Sequence, residues 1–332
     1  MREILARKQP SIVPSNQNPQ GALPARFRRP RLLIIGCGDV GMRVARDAFA
    51  RGGTSKGIKL MALNRSADKI TSLRQQGVQP LYGDLDAAQT LSRFAGLATH
   101  VLYLAPPSAE SSEDQAWWRD RRMERMVQAL SRRSLPASFV YASTSGVYGD
   151  CRGQWISETR SVAPATPRGQ RRANAERVVR GWGSASGTRT SVLRIPGIYA
   201  LDREGGTPIA RLQKGSPVLQ AEDDVFTNHI HADDLASICA AALWRGKPQR
   251  IYHASDDSEL RMGDYFDMAA SIFSMPKPPR VSREQAQALL PSTVLSFMSE
   301  SRRMRNDRMK KELRVALRYP TVYQGLRGRP LR

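Results

Sequence analysis

A glycine-rich hexapeptide between an apolar run and an amphipathic segment constrains the fold of this chain more than any other feature. Residues 31–35 read RLLII, which is typical of a buried parallel strand. GCGDVG follows at 36–41, and residues 42–49 carry apolar side chains at helical spacing. A dinucleotide-binding fingerprint requires this order of strand, glycine turn and helix. A GxGxxG match alone is weak evidence, but this context strengthens it.

Each glycine of this turn has its own predicted role. Gly36 allows the tight turn off the strand, Gly38 lets the backbone approach a pyrophosphate, and Gly41 lets the helix pack closely against the sheet. The helix N-terminus would present unpaired N–H groups and a positive dipole end to the phosphates. The alternative is a tight glycine turn without a ligand.

The alternation of strands and helices continues along the chain. Further strands are predicted at 58–63, 80–84, 100–104, 139–142 and 191–194, and helices at 67–76 and 115–132. Strands that alternate with helices predict a parallel sheet with helices on both faces. We therefore expect an α/β fold: a Rossmann-like doubly wound parallel sheet with a small C-terminal substrate lobe.

The 332 residues suffice for one large domain or two small ones. We predict a disordered basic leader at 1–30 and an NAD(P)-binding Rossmann-like domain at 31–199, with a return segment at about 222–255. Residues 200–221 and 256–332 would form the C-terminal substrate lobe. The leader contains five prolines and lacks the apolar stretch of a secretory signal.

Positive charge is concentrated at the two ends of the chain. The formal net charge is +22, of which residues 1–30 carry +5 and residues 301–332 carry +9. Basic ends can bind nucleic acid or an anionic lipid surface. No zinc finger, RNP-type aromatic motif or basic zipper accompanies the charge. We therefore favour a solvated arginine-rich surface over a nucleic-acid site, and we expect no membrane partner.

The cysteines and histidines do not form a metal-binding pattern. Cys37, Cys151 and Cys239 lie far apart without a CxxC pair, which argues against a disulfide scaffold and a thiolate zinc site. They suit a reducing cytoplasm, which is the predicted location. His229 and His231 are the only close histidine pair, and a pair alone is weak evidence for a metal. We predict no metal site.

The residues after the second and third predicted strands suggest which dinucleotide binds. An NAD-preferring site usually has Asp or Glu after the second strand, where this chain has Asn64 and Arg65. A guanidinium can pair with the 2′-phosphate of NADP, so we predict NADP, with NAD as the alternative. Arg65 could also be an ordinary exposed arginine. Asp84 and Leu85 are predicted to contact the adenine ring, although Asp84 could equally cap the next helix.

A second motif adds a family resemblance. Residues 143–150 read STSGVYGD and follow the fifth predicted strand. Together with the glycine turn, they resemble the extended short-chain dehydrogenase/reductase superfamily, of the NAD-dependent epimerase/dehydratase type. RIPGIY at 194–199 resembles the family's segment beside nicotinamide and substrate, and NHIHADDLA at 228–236 resembles its HVDDxA segment. The resemblance covers about residues 31–328.

The chain departs from this family at the usual catalytic dyad. Relatives carry Tyr-x-x-x-Lys roughly 20–25 residues after VYG, where the tyrosine transfers a proton and the lysine lowers its pKa. Ala175 and Glu176 set the register here, so Arg168 and Arg172 occupy the two positions. Arginine, with a pKa above about 12, is a poor general acid or base near neutral pH. The chain therefore resembles the atypical subgroups that lack the dyad.

The resemblance implies roles for the remaining residues. Thr144 occupies the family's hydroxyl position and could donate to a substrate carbonyl, with Ser143 beside it. Arg168 could bind an anionic substrate group or stabilise an oxyanion, and Arg172 could place positive charge near the nicotinamide ribose. Both arginines could instead belong to a solvated helix face. The predicted cofactor-binding residues are Gly36, Cys37, Gly38, Asp39, Val40, Gly41, Asn64, Arg65, Asp84, Leu85, Ala105, Pro106, Arg172 and Pro196.

Other candidates for acid–base chemistry have simpler interpretations. Tyr148 and Tyr199 could replace the missing tyrosine, but neither has a lysine four residues later, and we interpret both as structural. In relatives, the segment at 228–236 mostly tethers the C-terminal lobe to the cofactor domain. We favour that tether over an acid–base role for its histidines and Asp233.

The resemblance implies an NAD(P)-dependent oxidoreductase or an epimerase/dehydratase-like enzyme that acts on a polar small molecule. A nucleotide-sugar is the family-typical substrate. The missing dyad leaves a catalytically silent NADP(H)-binding sensor or scaffold as the alternative. Nucleic-acid binding ranks below both, and a homodimer is compatible with the resemblance.

Overall fold

The computed structural model describes residues 29–50, 57–108, 116–328 and 330. Residues 1–28, almost all of the predicted leader, lie outside this part. The strands are β1 (Arg31–Ile35), β2 (Lys59–Asn64), β3 (Gln79–Tyr82), β4 (His100–Tyr103), β5 (Ser138–Thr144), β6 (Trp155–Ile156), β7 (Arg189–Ile195), β8 (Gly197–Tyr199), β9 (Val218–Leu219), β10 (Phe226–Thr227), β11 (His229–His231), β12 (Arg250–His253), β13 (Leu260–Arg261), β14 (Arg280–Val281) and β15 (Arg303–Met304). The α-helices are α1 (Asp39–Ala50), α2 (Ile70–Gln75), α3 (Arg121–Leu130), α4 (Pro167–Ser186), α5 (Ile209–Gln213), α6 (Ala232–Arg245), α7 (Met262–Ile272), α8 (Arg283–Leu289), α9 (Ser292–Met298), α10 (Asp307–Leu313) and α11 (Val322–Leu326).

Seven strands form one parallel sheet in the order β12-β7-β5-β4-β1-β2-β3. Strand β1 lies between β2 and β4, with Leu33 opposite Met61 on one side and Val101 on the other. The chain moves outward from β1 to β3 and then returns to continue at β4, so the strand order reverses beside β1. Such a reversal opens a crevice at the carboxyl ends of the strands. The predicted Rossmann-like α/β fold is confirmed.

The central strands are apolar throughout because helices cover both faces of the sheet. Leu33, Ile34 and Ile35 are fully buried. Ile34 packs in the cluster that contains side chains of α1, α6 and α10. Leu33 and Ile35 pack on the opposite face, in the cluster formed with α3 and α4. Alternate residues of one short strand therefore hold helices on both sides.

The C-terminal part of the chain contributes to two cores. Phe266, Met262 and Met298 belong to a separate apolar cluster that builds a small lobe. Met309 and Leu313 of α10 instead pack into the core of the sheet. The domain boundaries stay a prediction, but α10 lies with the sheet although lobe residues come both before and after it in sequence.

One helix is shorter than expected. The sequence predicts a helix at 115–132, whereas α3 begins at Arg121. The carboxylate of Asp120 accepts a hydrogen bond from the Met123 backbone N–H at 3.0 Å and caps this end. A capping carboxylate satisfies an N–H group that has no partner within the helix, so the helix begins after Asp120.

Candidate functional site

Two cavities meet at the glycine turn, residues 36–41. The first cavity, of about 480 Å³, lies beyond β2, β3 and β4. The second cavity, of about 300 Å³, lies beyond β5 and β7. Gly36, Gly38, Leu104 and Pro106 line both. The two cavities thus form a crevice where the strand order reverses, the place at which such sheets bind dinucleotides.

Every predicted site residue lines one of these cavities. The first cavity is lined by Gly36, Cys37, Gly38, Asn64, Arg65, Asp84, Leu85, Ala105 and Pro106. The second adds Asp39, Val40, Gly41, Ser143, Thr144, Arg168, Arg172 and Pro196. Residues from seven separate segments therefore meet in one crevice. The sequence analysis did not name Lys69, Arg122 and Arg203, which line it as well.

The three glycines of the turn have different surroundings. Gly36 has a φ of +84°, and a Cβ there would lie 2.5 Å from the backbone nitrogen of Ala105. A Cβ on Gly41 would lie 3.2 Å from Ile34, which reflects the close packing of α1 on β1. At Gly38, no heavy atom of the described chain lies within 4 Å of the Cβ position. A diphosphate therefore fits against bare backbone beside the N-terminus of α1.

A buried arginine fixes the start of α1. Arg43 is 5% exposed and binds Asp39 at 3.0 Å, Asp202 at 2.7 Å and Asp233 at 2.6 Å. Burial opposes the charge of Arg43, but hydrogen bonds to the three carboxylates raise its pKa above the ordinary value. Arg203 also binds Asp39, at 2.5 Å. This network joins α1 to the loop after β8 and to the start of α6.

The far wall of the first cavity is basic. Arg65 is 67% exposed, and the nearest carboxylate oxygen, on Asp84, lies 4.0 Å away. Lys69 lines the same cavity four residues later. The Asn64 amide donates to the Ser66 carbonyl at 2.5 Å and shapes the turn after β2. Arg65 and Lys69 thus offer positive charge where a carboxylate would favour NAD.

Two residues shape the middle of the crevice. Arg122 binds the carboxylate of Asp86 through two nitrogens, at 2.8 and 2.5 Å, and donates to the Pro106 carbonyl at 3.1 Å. It thereby holds the loop that follows β4.

Burial raises the pKa of the Cys37 thiol to about 11, so this sulfur stays protonated at neutral pH.

The two hydroxyls after β5 differ in what they offer the second cavity. The Thr144 oxygen accepts from the Gly146 backbone N–H at 3.2 Å, and no described residue accepts its hydroxyl hydrogen, which can therefore donate. Ser143 donates to Glu176 at 2.6 Å, so its hydrogen is engaged in a buried contact. Thr144 is therefore the hydroxyl placed to donate to a carbonyl in this cavity.

Arg168 and Arg172 lie on the same wall of the second cavity. Arg172 is 6% exposed and donates to the Ala142 carbonyl at 2.5 Å and to the Tyr141 hydroxyl at 3.2 Å. Its Nε has no hydrogen-bond partner among the residues that the structure describes. Part of the Arg168 side chain is exposed, yet burial of the rest and the positive charge of Arg172 lower its pKa. Neither arginine can replace a tyrosine as proton donor.

The tyrosines that could have replaced the missing dyad are engaged elsewhere. Tyr148 contacts His253 Nε2 through its hydroxyl at 2.5 Å and lies under the guanidinium of Arg194, 4.6 Å from the ring centre. Burial raises the pKa of Tyr148 to about 12. The Tyr199 hydroxyl donates to the Thr321 carbonyl at 3.2 Å. Neither tyrosine lines the two cavities, which agrees with their interpretation as structural residues.

The segment at 228–236 connects elements rather than lining the crevice with its histidines. His231 Nδ1 accepts from the Asp233 N–H at 3.2 Å and caps α6. The Asp234 carboxylate accepts from the backbone N–H groups of residues 318–319, at 2.7 and 2.9 Å. Burial lowers the pKa of His231 to about 4, which keeps the imidazole neutral at neutral pH. These contacts support the tether interpretation.

Within the described ranges, no group of three or more His, Cys, Asp or Glu side chains is arranged to hold a metal ion. The helices of the same ranges are too short or too polar to cross a membrane.

Comparisons with known proteins agree with this geometry. The model of the NAD dependent epimerase/dehydratase family matches residues 32–254. A functionally unknown conserved protein from Silicibacter pomeroyi DSS is 29% identical, with a TM-score of 0.68 over 90% of this chain and 96% of that one. No curated protein matches the chain.

Two solved enzymes share the fold at lower identity. UDP-glucuronic acid 4-epimerase from Bacillus cereus, in complex with NAD, is 14% identical with a TM-score of 0.70, over 90% of this chain and 97% of that one. dTDP-glucose 4,6-dehydratase from Bacillus anthracis str. Ames, in complex with NAD, is 14% identical with a TM-score of 0.72, over 90% and 94%. The family match and the crevice support a nicotinamide dinucleotide as cofactor. The chain belongs to the NAD-dependent epimerase/dehydratase family.

Proposed function

We propose that this protein is an NADP-dependent oxidoreductase or epimerase/dehydratase-like enzyme that acts on a polar small molecule, with nucleotide-sugars as the first class to test. One observation carries the proposal: the crevice joins the bare backbone at Gly38 to the free hydroxyl hydrogen of Thr144. A bound cofactor would supply hydride transfer to or from nicotinamide C4.

The residues of the second cavity would bind the substrate and stabilise charge during hydride transfer. Thr144 would donate a hydrogen bond to the substrate oxygen on the carbon that exchanges hydride. Arg168 and Arg172 would place positive charge on the substrate side of the cavity, beside the position of the nicotinamide ribose. Since neither arginine supplies a proton, the proton would come from solvent water at the open side of the cavity.

The preference for NADP rests on the basic wall of the first cavity. Arg65 is largely exposed and has only a distant carboxylate neighbour, and Lys69 adds a second positive charge. A 2′-phosphate would find a bidentate partner here, whereas the unmodified ribose of NAD would find no carboxylate at the end of β2.

The decisive experiment combines binding with turnover. Isothermal titration calorimetry should show NADPH binding. A panel of carbonyl compounds and sugar nucleotides should reveal turnover, measured by nicotinamide absorbance for net oxidation or reduction and by product analysis for redox-neutral epimerisation or dehydration. Thr144→Val should lower kcat about 100-fold, because it removes the donor to the reacting oxygen, and should leave NADPH affinity unchanged. No NADPH or NADH binding at millimolar concentration would refute the proposal.

A second function is favoured because Arg168 occupies the position of the family's proton-transferring tyrosine and cannot transfer a proton itself. A catalytically silent NADP(H)-binding sensor or scaffold would bind cofactor as above and turn over nothing on the panel. The pair Arg168→Tyr and Arg172→Lys would then test whether the scaffold regains turnover.

Location and assembly are parts of the same proposal. The cysteines Cys37, Cys151 and Cys239 are free, which is compatible with a reducing cytoplasm. A homodimer stays a prediction that size-exclusion chromatography with light scattering would test.

A further inference from the structure

The second cavity carries positive charge that the described residues do not neutralise. Three arginines line it: Arg168, Arg172 and Arg203. Arg203 has a counter-ion, because it binds Asp39 at 2.5 Å. Arg168 and Arg172 form no ion pair with any residue that the structure describes. Two guanidinium groups on one wall are therefore unpaired within the described part of the chain.

Arg172 is the less usual of the two because it is buried. Within the described chain, its NH1 group donates only to neutral oxygens, those of Ala142, Tyr141 and Ala105, and its Nε has no partner. A buried charge without a counter-ion is costly unless a ligand completes its environment.

Two buried acids of the described chain, Glu176 and Asp120, lie near Arg172 without forming an ion pair with it. Glu176, one turn further along α4, accepts from Ser143 at 2.6 Å and pairs with Arg194 at 2.6 Å. Burial raises the pKa of Asp120, which favours its neutral form. Among the described residues, no carboxylate forms an ion pair with the guanidinium of Arg172, although Asp120 lies close enough to interact with it electrostatically.

Arg168 extends the same site toward solvent. It lies one helical turn before Arg172, so both side chains project from one face of α4. Two like charges at this spacing repel each other, and an anion between them would relieve the repulsion. The glycine turn, on the opposite side of the cavity, already provides a place for the cofactor's diphosphate.

We propose that Arg168 and Arg172 bind an acidic group of the substrate, a carboxylate or a phosphate ester, within a few bonds of the carbon whose oxygen contacts Thr144. That this anion belongs to the substrate rests on the proposed function. It narrows the substrate class to small hydroxy or oxo compounds that carry such an acid. The arginine that replaced the family's tyrosine is then a specificity residue.

The test uses inorganic phosphate and oxalate as probes of the site. Calorimetric titration into full-length protein saturated with NADPH should show binding of at least one of the two anions. Arg168→Gln should weaken that binding at least tenfold. Arg168→Lys should weaken it less, because lysine keeps the positive charge, although it cannot form the bidentate contact. Arg177→Gln is the matched control, since Arg177 is exposed on the same helix and lines neither cavity.

A second titration separates the substrate from the cofactor as the source of the anion. Without NADPH, the probe anion should still bind, and saturation with NADPH should leave its affinity within about twofold. Competition between anion and NADPH would assign the arginines to a cofactor phosphate and overturn the inference. The inference would also be overturned if neither anion bound at millimolar concentration, or if Arg168→Gln and Arg177→Gln weakened anion binding equally. A protein that failed to bind NADPH would refute the proposed function, while titration without cofactor would still test this anion site.

Discussion

At the scale of single residues, the turn at 36–41 separates the requirements of folding from those of binding. Gly36 needs its missing side chain for the fold, because its φ is +84° and the backbone of Ala105 occupies the Cβ position. Gly38 needs its missing side chain only for whatever lies in the crevice, because the space beside it is open. Two glycines of one motif should therefore respond differently to the same substitution.

Gly38→Ala should weaken NADPH binding at least tenfold, because its methyl group would enter the space of the diphosphate, and should leave the thermal midpoint within about 2 °C of wild type. Gly36→Ala should lower the free energy of unfolding by roughly 2 kcal/mol or more, since it adds backbone strain and a clash with Ala105. Calorimetry and thermal unfolding measure the two effects. Equal loss of stability in both variants would contradict the assignment of Gly38 to binding.

Arg65→Gln should raise the Kd for NADPH about tenfold, which corresponds to ~1.4 kcal/mol, and should leave the Kd for NADH almost unchanged. The reason is that the guanidinium has no close ion pair of its own and would contact only the 2′-phosphate. Arg74→Gln serves as control, because Arg74 is exposed on α2 and lines neither cavity. A similar loss for both cofactors would show that Arg65 does not discriminate between them.

At the scale of elements, local caps set the ends of helices, although the sequence analysis did not predict the helix at 167–186. Thr166 accepts from the Gly169 N–H at 3.1 Å at the start of α4, and Gly187 ends this helix with a φ of +74°. The position of α1 relative to α6 depends instead on Arg43, which reaches a carboxylate 190 residues away in sequence. Local sequence patterns carry no information about that pair.

Arg43→Met should lower the free energy of unfolding by about 3–5 kcal/mol, because it leaves three carboxylates facing one another without their buried cation. Arg46→Gln should cost under about 1 kcal/mol, although Arg46 also contacts Asp233, since its side chain is 51% exposed. Chemical denaturation of the two variants and the wild type measures both values. Comparable stability of Arg43→Met and wild type would show that this network does not hold α1 in place.

At the scale of the whole molecule, burial controls the protonation of the histidines. The pKa of His229 falls from 6.5 to about 4 because the imidazole lies in the protein interior, against the ring of Tyr265 at 4.5 Å. In the unfolded chain, a histidine takes up its proton near the ordinary value. Between these two pH values the unfolded chain binds a proton that the folded chain does not, so acid lowers the stability of the fold.

His229→Phe should therefore reduce the loss of unfolding free energy as the pH falls from 6.5 to 4. The slope of unfolding free energy against pH should be smaller by up to about 1.4 kcal/mol per pH unit, which corresponds to one bound proton. Denaturant unfolding of variant and wild type across this range measures the difference. The carboxyl groups are the same in both proteins, so their contributions cancel in the comparison. Identical pH dependence would show that His229 is accessible to protons in the folded state.

The sequence by itself determined the features that depend on neighbouring residues. The order of strand, glycine turn and helix at 31–49, the apolar central strands and the basic end of β2 all follow from local composition and spacing. Parallel strands align their carboxyl ends, so residues after β1, β2, β4, β5 and β7 could be placed in one crevice before any contact was known.

Only the tertiary structure decided which of these side chains are free to act. Ser143 and Thr144 are adjacent hydroxyls in the sequence, but Glu176 engages the hydrogen of Ser143 and leaves that of Thr144 available. Arg203 and Arg172 are both arginines of the crevice, but only Arg203 has a carboxylate partner in the described structure. The physical reason is that a polar group's chemistry depends on its hydrogen-bond and ion-pair partners, and here folding brings those partners from distant segments of the chain.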